Sequence, residues 1–246
     1  MAREEESELT KGDLTGHLGM KQTPLHHDFN PDLLGLMPLN ATRIVEVGCS
    51  SGALAKAYLA ANSGCEYIGI ETDAAYADVA RETCTRVLTS DIEQMDEKSF
   101  TSCFPSTCWV FGDVIEHLYD PWAVLRRIRS RLDPDASVVA CIPNAQHWSV
   151  QARLNRGAFR YEDNGLLDFT HIRWFTKETI GELFDSCGFR IVEGYGRTFD
   201  EPQRERVLAG IRALAQATGG DAEEAVSNAI PIQWIVRAVP HAATHG

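Results

Sequence analysis

The sequence lacks any apolar run long enough for a membrane-spanning helix and any cysteine pairing typical of a disulfide framework or zinc site. No stretch of about 18 consecutive apolar residues occurs, and the acidic N-terminus has no apolar signal core. The seven cysteines are scattered without a Cys-x-x-Cys pair, which is typical of reduced thiols. We therefore expect a cytoplasmic protein with no membrane partner.

Basic charge is also scarce. The 246 residues include 23 Lys and Arg against 35 Asp and Glu, for a net charge of −12. Such a field repels phosphate backbones, so we do not expect a nucleic-acid partner. At 44% hydrophobic residues, the chain can build a real core. We predict one domain over residues 21–246, preceded by a charged, aperiodic segment, residues 1–20, that we expect to be disordered.

Strand and helix signals alternate along this domain. Four helices are predicted to begin at capping residues, which are Asn30, Asp73, Asp120 and Thr176. Strands are predicted near residues 43–47, 67–70, 86–88, 109–111, 137–142, 189–194 and 232–237. Alternating βαβ units imply an α/β fold with a mostly parallel sheet that is covered by helices on both faces.

Two insertions interrupt this alternation. Residues 145–175 are rich in aromatic, His and Arg residues and match no simple strand or helix pattern. Residues 200–230 carry a helical pattern and separate the last two strands, which would otherwise form a hairpin. Because loops at strand ends usually carry selectivity, we expect both insertions to shape the acceptor site.

Acidic residues lie at the ends of four successive predicted strands: Glu46, Glu71, Asp91 and Asp113. Each one alone is equally explained as a helix cap or a solvated loop residue. In an open α/β sheet, however, ligands bind beyond the carboxyl ends of the strands, where such residues converge. Together the four carboxylates predict a cofactor site.

The loop between Gly48 and Gly52 follows the first of these strands directly. A dinucleotide site would need a G-x-G-x-x-G loop facing a pyrophosphate. Glu46, two residues before Gly48, would repel a pyrophosphate but attract the ammonium group of an amino-acid tail. The loop therefore favours S-adenosylmethionine (SAM) over NAD.

Several further strings complete a pattern over residues 31–195. They are Gly69-Ile70-Glu71, Ser90-Asp91-Ile92-Glu93, the run from Asp113 to Pro121 (DVIEHLYDP), Ile142-Pro143-Asn144 and the run from Leu167 to Thr176 (LDFTHIRWFT). With these strings the chain resembles the class I SAM-dependent methyltransferases, in particular the ubiquinone-biosynthesis-like and the sugar- or polysaccharide-tailoring enzymes. The resemblance implies a doubly wound, mostly parallel, seven-stranded Rossmann-like sheet with inserted acceptor-site segments.

The resemblance also implies roles for individual residues. Gly48, Cys49, Ser50 and Gly52 would surround the methionine part of SAM, with Glu46 meeting its ammonium group. Glu71 would accept both ribose hydroxyls, Asp91 the adenine amino group, and Asp113 would border the sulfonium. The full predicted cofactor set is Glu46, Gly48, Cys49, Ser50, Gly52, Glu71, Thr72, Asp91, Ile92, Asp113 and Val114.

Methyl transfer to oxygen also benefits from a base that removes the acceptor proton. Imidazole titrates near neutral pH, which makes three histidines candidates, in the order His147, His171 and His117. Each is equally open to a purely structural role. The predicted acceptor is a small molecule, an oxygen nucleophile of sugar-like or natural-product type.

Two alternatives to this function are kept. Glu116 and His117 with His147 or His171 could ligate a divalent metal, as in the methyltransferases of the 3′-terminal ribose of RNA, which carry a similar Glu-His string. The acidic composition opposes RNA, so the main prediction contains no metal. The second alternative is a non-catalytic partner subunit with the same fold.

The aromatic residues of the first insertion either line an acceptor pocket or form a secondary core; they are Trp148, Phe159, Tyr161, Trp174 and Phe175. Interleaved arginines either bind an anionic acceptor or pair with the acidic surface; they are Arg153, Arg156, Arg160 and Arg173. The pair His26-His27 is expected in a loop that covers SAM.

Overall fold

The computed structural model describes residues 25–242, so the expectation for residues 1–20 lies outside the described part of the chain. The strands are β1 (Arg43–Val47), β2 (Glu66–Glu71), β3 (Arg86–Thr89), β4 (Cys108–Gly112), β5 (Ser137–Pro143), β6 (Phe189–Arg197) and β7 (Gln233–Pro240). The helices are α1 (Pro31–Leu36), α2 (Ala53–Ala61), α3 (Ala74–Ala80), α4 (Glu97–Thr101), α5 (Pro121–Arg129), α6 (Trp148–Asn155), α7 (Lys177–Ser186), α8 (Arg204–Ala217) and α9 (Ala222–Ala229). Ile115–His117 forms a 3₁₀ turn.

The strands form one seven-stranded sheet in the order β3-β2-β1-β4-β5-β7-β6. The pairs from β3 to β5 are parallel, whereas β7 runs antiparallel to both β5 and β6. The strand order changes direction between β1 and β4, which opens a crevice at their carboxyl ends. The predicted α/β, mostly parallel seven-stranded sheet is confirmed. In addition, β6 and β7 pair although α8 and α9 lie between them in the chain.

The alternation of side chains along β1 explains the two buried layers. Val45 and Val47 face a layer that includes Trp109 and Phe111 and lies under α5 and α7. Ile44 points the opposite way, into a layer with Tyr67 under α1 and α2. All seven cysteines are free and buried, as their scattered positions predicted.

The predicted helix starts are also confirmed. The side chain of Asn30 accepts the backbone N–H groups of Asp32 and Leu33, and Asp73 and Asp120 cap α3 and α5 in the same way. Thr176 forms a reciprocal capping box with Thr179 at the start of α7.

The description of residues 145–175 as neither helix nor strand was wrong in part, because α6 lies within them. Val150 is the one buried residue of α6 among its described positions, so the helix leaves no apolar periodicity in the sequence. Its N-cap is His147, whose ring nitrogen accepts the backbone N–H of Ser149, an unusual cap that the sequence does not signal.

The two insertions meet in a small cap with its own core. Leu208 and Ile211 of α8 pack with Ala229 of α9, and Trp148 of α6 packs against them. Among the described residues no helix is both long and apolar enough to cross a membrane.

Candidate functional site

The loop after β1 adopts a backbone conformation that favours glycine. Gly48, Ser50 and Gly52 all have positive φ angles, of 73°, 46° and 75°. The N–H groups of Gly48 and Cys49 both donate to the carbonyl of Ile70, at 2.8 and 3.2 Å. These bonds tie the loop to the end of β2.

The loop also lies directly against the end of β4. A β-carbon placed on Gly48 would lie 2.6 Å from Val114 Cγ2, so a side chain at Gly48 would collide with Val114. Asp113, one residue earlier, has a φ of 55°, which is rare outside glycine. Its Oδ1 accepts hydrogen bonds from Gln233 Nε2 at 2.6 Å and from the Cys141 thiol at 3.4 Å.

Glu71 connects the loop to the next strand end. Its Oε2 accepts the N–H of Ser50 at 2.8 Å, and its Oε1 accepts the N–H of Asp73 at 3.0 Å and the Thr72 hydroxyl at 3.3 Å. These bonds fix the orientation of the Glu71 carboxylate at the end of β2.

The turn after β3 holds the third acidic residue. Asp91 accepts the N–H of Glu93 at 2.8 Å and the amide of Gln94 at 2.9 Å. Ile92 packs in the main core with an exposed fraction of 4%. This turn follows β3, whose carboxyl end lies beside that of β2.

Glu46 lies in the layer beneath the loop. It is buried, accepts the Tyr67 hydroxyl at 2.9 Å, and its pKa is raised well above the usual range by burial. Its predicted contact with an ammonium group stays a prediction.

The N-terminal part of the described chain crosses the same loop. The Ser51 hydroxyl donates to the backbone carbonyl of His26 at 2.6 Å. The ring of His26 contacts the carbonyl of Asp28 at 3.0 Å. His26 therefore lies against the loop, while its expected role as a cover over a cofactor stays a prediction.

A histidine and glutamate cluster follows β4. His117 Nδ1 contacts the carbonyl of Thr170 and His171 Nδ1 that of Leu166, both at 3.1 Å. Because a carbonyl oxygen only accepts, each Nδ1 carries the proton, and each Nε2 keeps its lone pair. The two rings meet edge to face, with centroids 4.8 Å apart.

Glu116 completes this cluster, and its surroundings disfavour the charged form of its carboxylate. Its side chain is fully buried, and neither carboxylate oxygen has a hydrogen-bond partner among the described residues. Its Oε1 lies 3.9 Å from His171 Nε2. Burial, and then the nearby charge of Asp113, raise the pKa of Glu116 well above its usual range, while burial lowers the pKa of His171.

His147 lies in a different environment. Nδ1 of His147 lies 2.8 Å from the Ser149 hydroxyl, and its Nε2 lies 3.4 Å from Glu201 Oε2. Glu201 also accepts the indole N–H of Trp148 at 2.9 Å. These contacts join α6 to the segment before α8. Burial lowers the pKa of His147.

The aromatic residues of the first insertion divide between two environments. Phe175 enters the main core and Trp148 packs in the cap, as the secondary-core alternative stated. Phe159 and Tyr161 remain exposed, by 37% and 59%; they contact each other, and Phe159 also contacts Trp174. Among the arginines, Arg153 pairs with Glu162 at 2.6 Å.

Sequence reasoning missed two contacts of the site. Gln233 and Tyr67 lie in predicted strands without an assigned role, yet Gln233 orients Asp113 and Tyr67 holds Glu46. The polar side chain of Gln233 at the start of a mostly apolar strand could have indicated a polar contact.

The sheet order, the crevice and the glycine-bounded loop define a Rossmann-like methyltransferase fold. Residues 27–194 match the family of methyltransferase domains, and the chain belongs to that family. It is a SAM-dependent methyltransferase. No curated protein matches the chain.

Solved structures share the fold at low sequence identity. The mitomycin 7-O-methyltransferase is 15% identical with a TM-score of 0.54 over 85% of this chain and 52% of its own. This chain thus spans about half the length of that enzyme. A SAM-dependent methyltransferase of Thermotoga maritima is 17% identical, with a TM-score of 0.54 over 85% and 86% of the two chains. The magnesium protoporphyrin IX methyltransferase of Synechocystis, solved with bound SAH, is 12% identical, with a TM-score of 0.53 over 82% and 75%.

The residues present fit SAM. The loop has left-handed backbone at Gly48, Ser50 and Gly52, and the carboxylate of Glu71 lies directly against it, 2.8 Å from the backbone nitrogen of Ser50. We infer that the loop from Gly48 to Gly52, with Glu71 and Asp113, holds the cofactor.

We predict that Gly48→Ala weakens SAM binding about ten- to a hundredfold. The left-handed backbone costs an L-residue roughly 1–2 kcal/mol, and the new methyl group must also displace Val114. Isothermal calorimetry with SAM measures the change. Gly64→Ala, where a β-carbon meets nothing closer than 3.9 Å, is the matched control, and Val114→Ala added to Gly48→Ala should restore part of the affinity. Equal affinity in the two single variants would contradict the proposed position of the cofactor.

We predict that Glu116→Gln changes how stability depends on pH. Because the folded-state pKa of Glu116 is raised, its protonated form stabilises the protein fully below the unfolded-state pKa, and this contribution is lost as the pH rises through the folded-state value. The free energy of unfolding of the wild type should therefore fall relative to that of Glu116→Gln as the pH rises above the unfolded-state pKa of Glu116, with a slope of up to about 1.4 kcal/mol per pH unit.

Urea denaturation with a chelator present measures this difference. Glu182→Gln, which changes an exposed glutamate of α7, is the control and should leave the pH profile of the wild type unaltered. Parallel profiles for Glu116→Gln and the wild type would show that Glu116 is charged in the folded protein.

Proposed function

We propose that the protein transfers the methyl group of SAM to a hydroxyl oxygen of a small molecule of sugar-like or natural-product type. When bound, SAM supplies a methyl group on a positively charged sulfur. The acceptor oxygen would attack the methyl carbon, and the sulfur would leave with the electron pair of the broken C–S bond. The observation that carries the proposal is the pair of imidazole Nε2 lone pairs of His117 and His171. His117 lies four residues after Asp113, and the ring of His171 packs against that of His117.

His117 is the best-placed base of the three predicted histidines. It is half-buried, whereas His171 and His147 are buried. Its Nδ1–H is fixed by the Thr170 carbonyl, so Nε2 is the atom that accepts the acceptor proton. His171 packs against its ring and holds its orientation.

The sequence predicts His147 as the first candidate for the base, but its contacts in the structure support a different role. With Nδ1 accepting the Ser149 N–H, its proton lies on Nε2 and faces the Glu201 carboxylate. Neither nitrogen then has a free lone pair for an acceptor proton. We propose that His147 holds α6 and the cap in position.

A set of three variants tests this assignment. His117→Asn should lower kcat by about 10²- to 10⁴-fold, the usual contribution of a positioned base, with SAM affinity unchanged by calorimetry. His147→Asn is the matched control and should keep kcat within about threefold, since its role is packing. A collapse of kcat in His147→Asn with normal turnover in His117→Asn would reverse the assignment.

A second candidate function is metal-assisted methylation of a ribose hydroxyl at the 3′ end of RNA. Glu116, His117 and His171 each offer a ligand atom, and these atoms lie within 4.8 Å of one another. Metal-binding histidines usually donate their other ring N–H to a carbonyl or a carboxylate, and both Nδ1–H groups here donate to backbone carbonyls. A divalent ion would also supply the partner that both oxygens of Glu116 lack.

Removal of metal separates the two candidates. If the metal-assisted function holds, dialysis against a chelator should abolish methyl transfer, Mn²⁺ should restore it, and His171→Ala should weaken Mn²⁺ binding by more than about tenfold. Full activity after chelation, with no Mn²⁺ binding by calorimetry, would eliminate this candidate and leave His117 as a metal-free base.

A further inference from the structure

Two of the cysteines, Cys49 and Cys84, have thiols that contact each other. A hydrogen bond joins the two thiols, although the residues belong to different loops. Both residues are buried, both sulfurs are free, and both lie in the layer under α1 and α2. We call Cys49 and Cys84 the thiol pair.

The other cysteines have different partners. Each of their thiols donates to an oxygen atom, and they are Cys65, Cys103, Cys108, Cys141 and Cys187. Among the described residues, therefore, only the thiol pair brings two sulfur atoms into hydrogen-bond contact.

Gly69 of β2 provides the space in which the two sulfurs meet. A β-carbon placed on Gly69 would lie 2.4 Å from Cys49 Sγ and 3.5 Å from Cys84 Sγ. Both sulfurs thus converge on one point above β2, where any side chain would displace them. Two distant segments can form a disulfide only where the backbone already brings their sulfurs together, and this condition is met here.

The thiol pair connects the cofactor loop to the end of α3. Cys49 belongs to the loop between Gly48 and Gly52, which we assign to SAM. Cys84 follows α3, and its N–H donates to the carbonyl of Ala80 at 2.8 Å. Gly52 lies against the same residue, since a β-carbon on Gly52 would lie 3.4 Å from Ala80 Cα. A covalent bond between the sulfurs would therefore draw the loop toward α3.

The two thiols differ in reactivity. The hydrogen bond from Cys49 lowers the pKa of Cys84, and the same hydrogen bond, together with burial, raises the pKa of Cys49. The thiolate is the form that reacts with oxidants. Cys84 is therefore the thiol that attacks, and Cys49 is the neighbouring thiol that resolves the product.

We propose that the thiol pair is an oxidation site, which hydrogen peroxide converts to a disulfide that prevents SAM from binding. The Cys84 sulfur attacks one peroxide oxygen, the O–O bond breaks, and the released hydroxide takes the Cys84 proton and leaves as water. The Cys49 sulfur then attacks the sulfenic sulfur of Cys84, and the sulfenic hydroxyl leaves with the Cys49 proton as a second water. Two thiols are oxidised and one peroxide is reduced. The inference concerns the cofactor loop and does not depend on the methyl acceptor.

Mass spectrometry of the peroxide-treated protein is the first arm of the test. Trypsin cuts after Lys and Arg, so Cys49 falls in the peptide of residues 44–56 and Cys84 in that of residues 82–86. The expected result is a disulfide that links these two peptides, with loss of two of the seven thiols. Dithiothreitol should reverse both changes.

Isothermal calorimetry with SAM is the second arm. Peroxide should raise the Kd of the wild type about tenfold or more, and dithiothreitol should restore it. Cys84→Ala and the more conservative Cys84→Ser should bind SAM before treatment and keep most of that affinity after it. Cys103→Ala is the matched control, because Cys103 is equally buried but lies in the layer under α5 and α7. It should respond to peroxide as the wild type does.

Three results would overturn the inference. They are a treated wild type without the linked peptides, a linked wild type with unchanged Kd for SAM, and equal losses of SAM affinity in the wild type and both Cys84 variants. Failure of the untreated wild type to bind SAM would instead refute the assigned cofactor site.

Discussion

The close approach of two strand ends is the constraint on which the site depends. The loop after β1 can pass against Val114 at the end of β4 only because Gly48 has no side chain. Both segments adopt left-handed backbone there, at Gly48 and at Asp113. Such conformations cost energy and persist only where the surrounding structure fixes them. Here the parallel pairing of β1 with β4 fixes them, and the crevice between the strands is the result.

Much of this arrangement could be predicted from the sequence, because local patterns determine it. Strand ends, caps and the glycine-bounded loop are all signalled by neighbouring residues, as Asn30 and Thr176 show. Contacts between distant segments were not predictable. Gln233 reaches Asp113 across 120 residues, and His171 meets His117 only because residues 172 and 173 bond back to the carbonyl of Glu116. Contacts of this kind, between residues far apart in the chain, leave no periodic pattern in the sequence.

The two insertions have separate structural roles, although they pack against each other. The Glu201 carboxylate joins them, since it meets both the Trp148 indole and the ring of His147. Trp148 is thereby withdrawn into the core of the cap, and the rings of Phe159 and Tyr161 are left to face solvent. The cap thus packs against the first insertion, while the rings of Phe159 and Tyr161 stay exposed to solvent.

Glu116 connects the stability of the protein with its chemistry. A buried carboxylate without hydrogen bonds is costly when charged, so it must either hold a proton or face a cation. A proton on Glu116 removes its charge and leaves the Nε2 lone pairs of both histidines unoccupied by a metal, as the proposed role of His117 requires. A metal ion would instead require Glu116 charged and would occupy the lone pairs of both histidines. The two states exclude each other, since the same Nε2 atoms cannot accept an acceptor proton and bind an ion at once. The protonation state of Glu116 therefore distinguishes the two proposed functions.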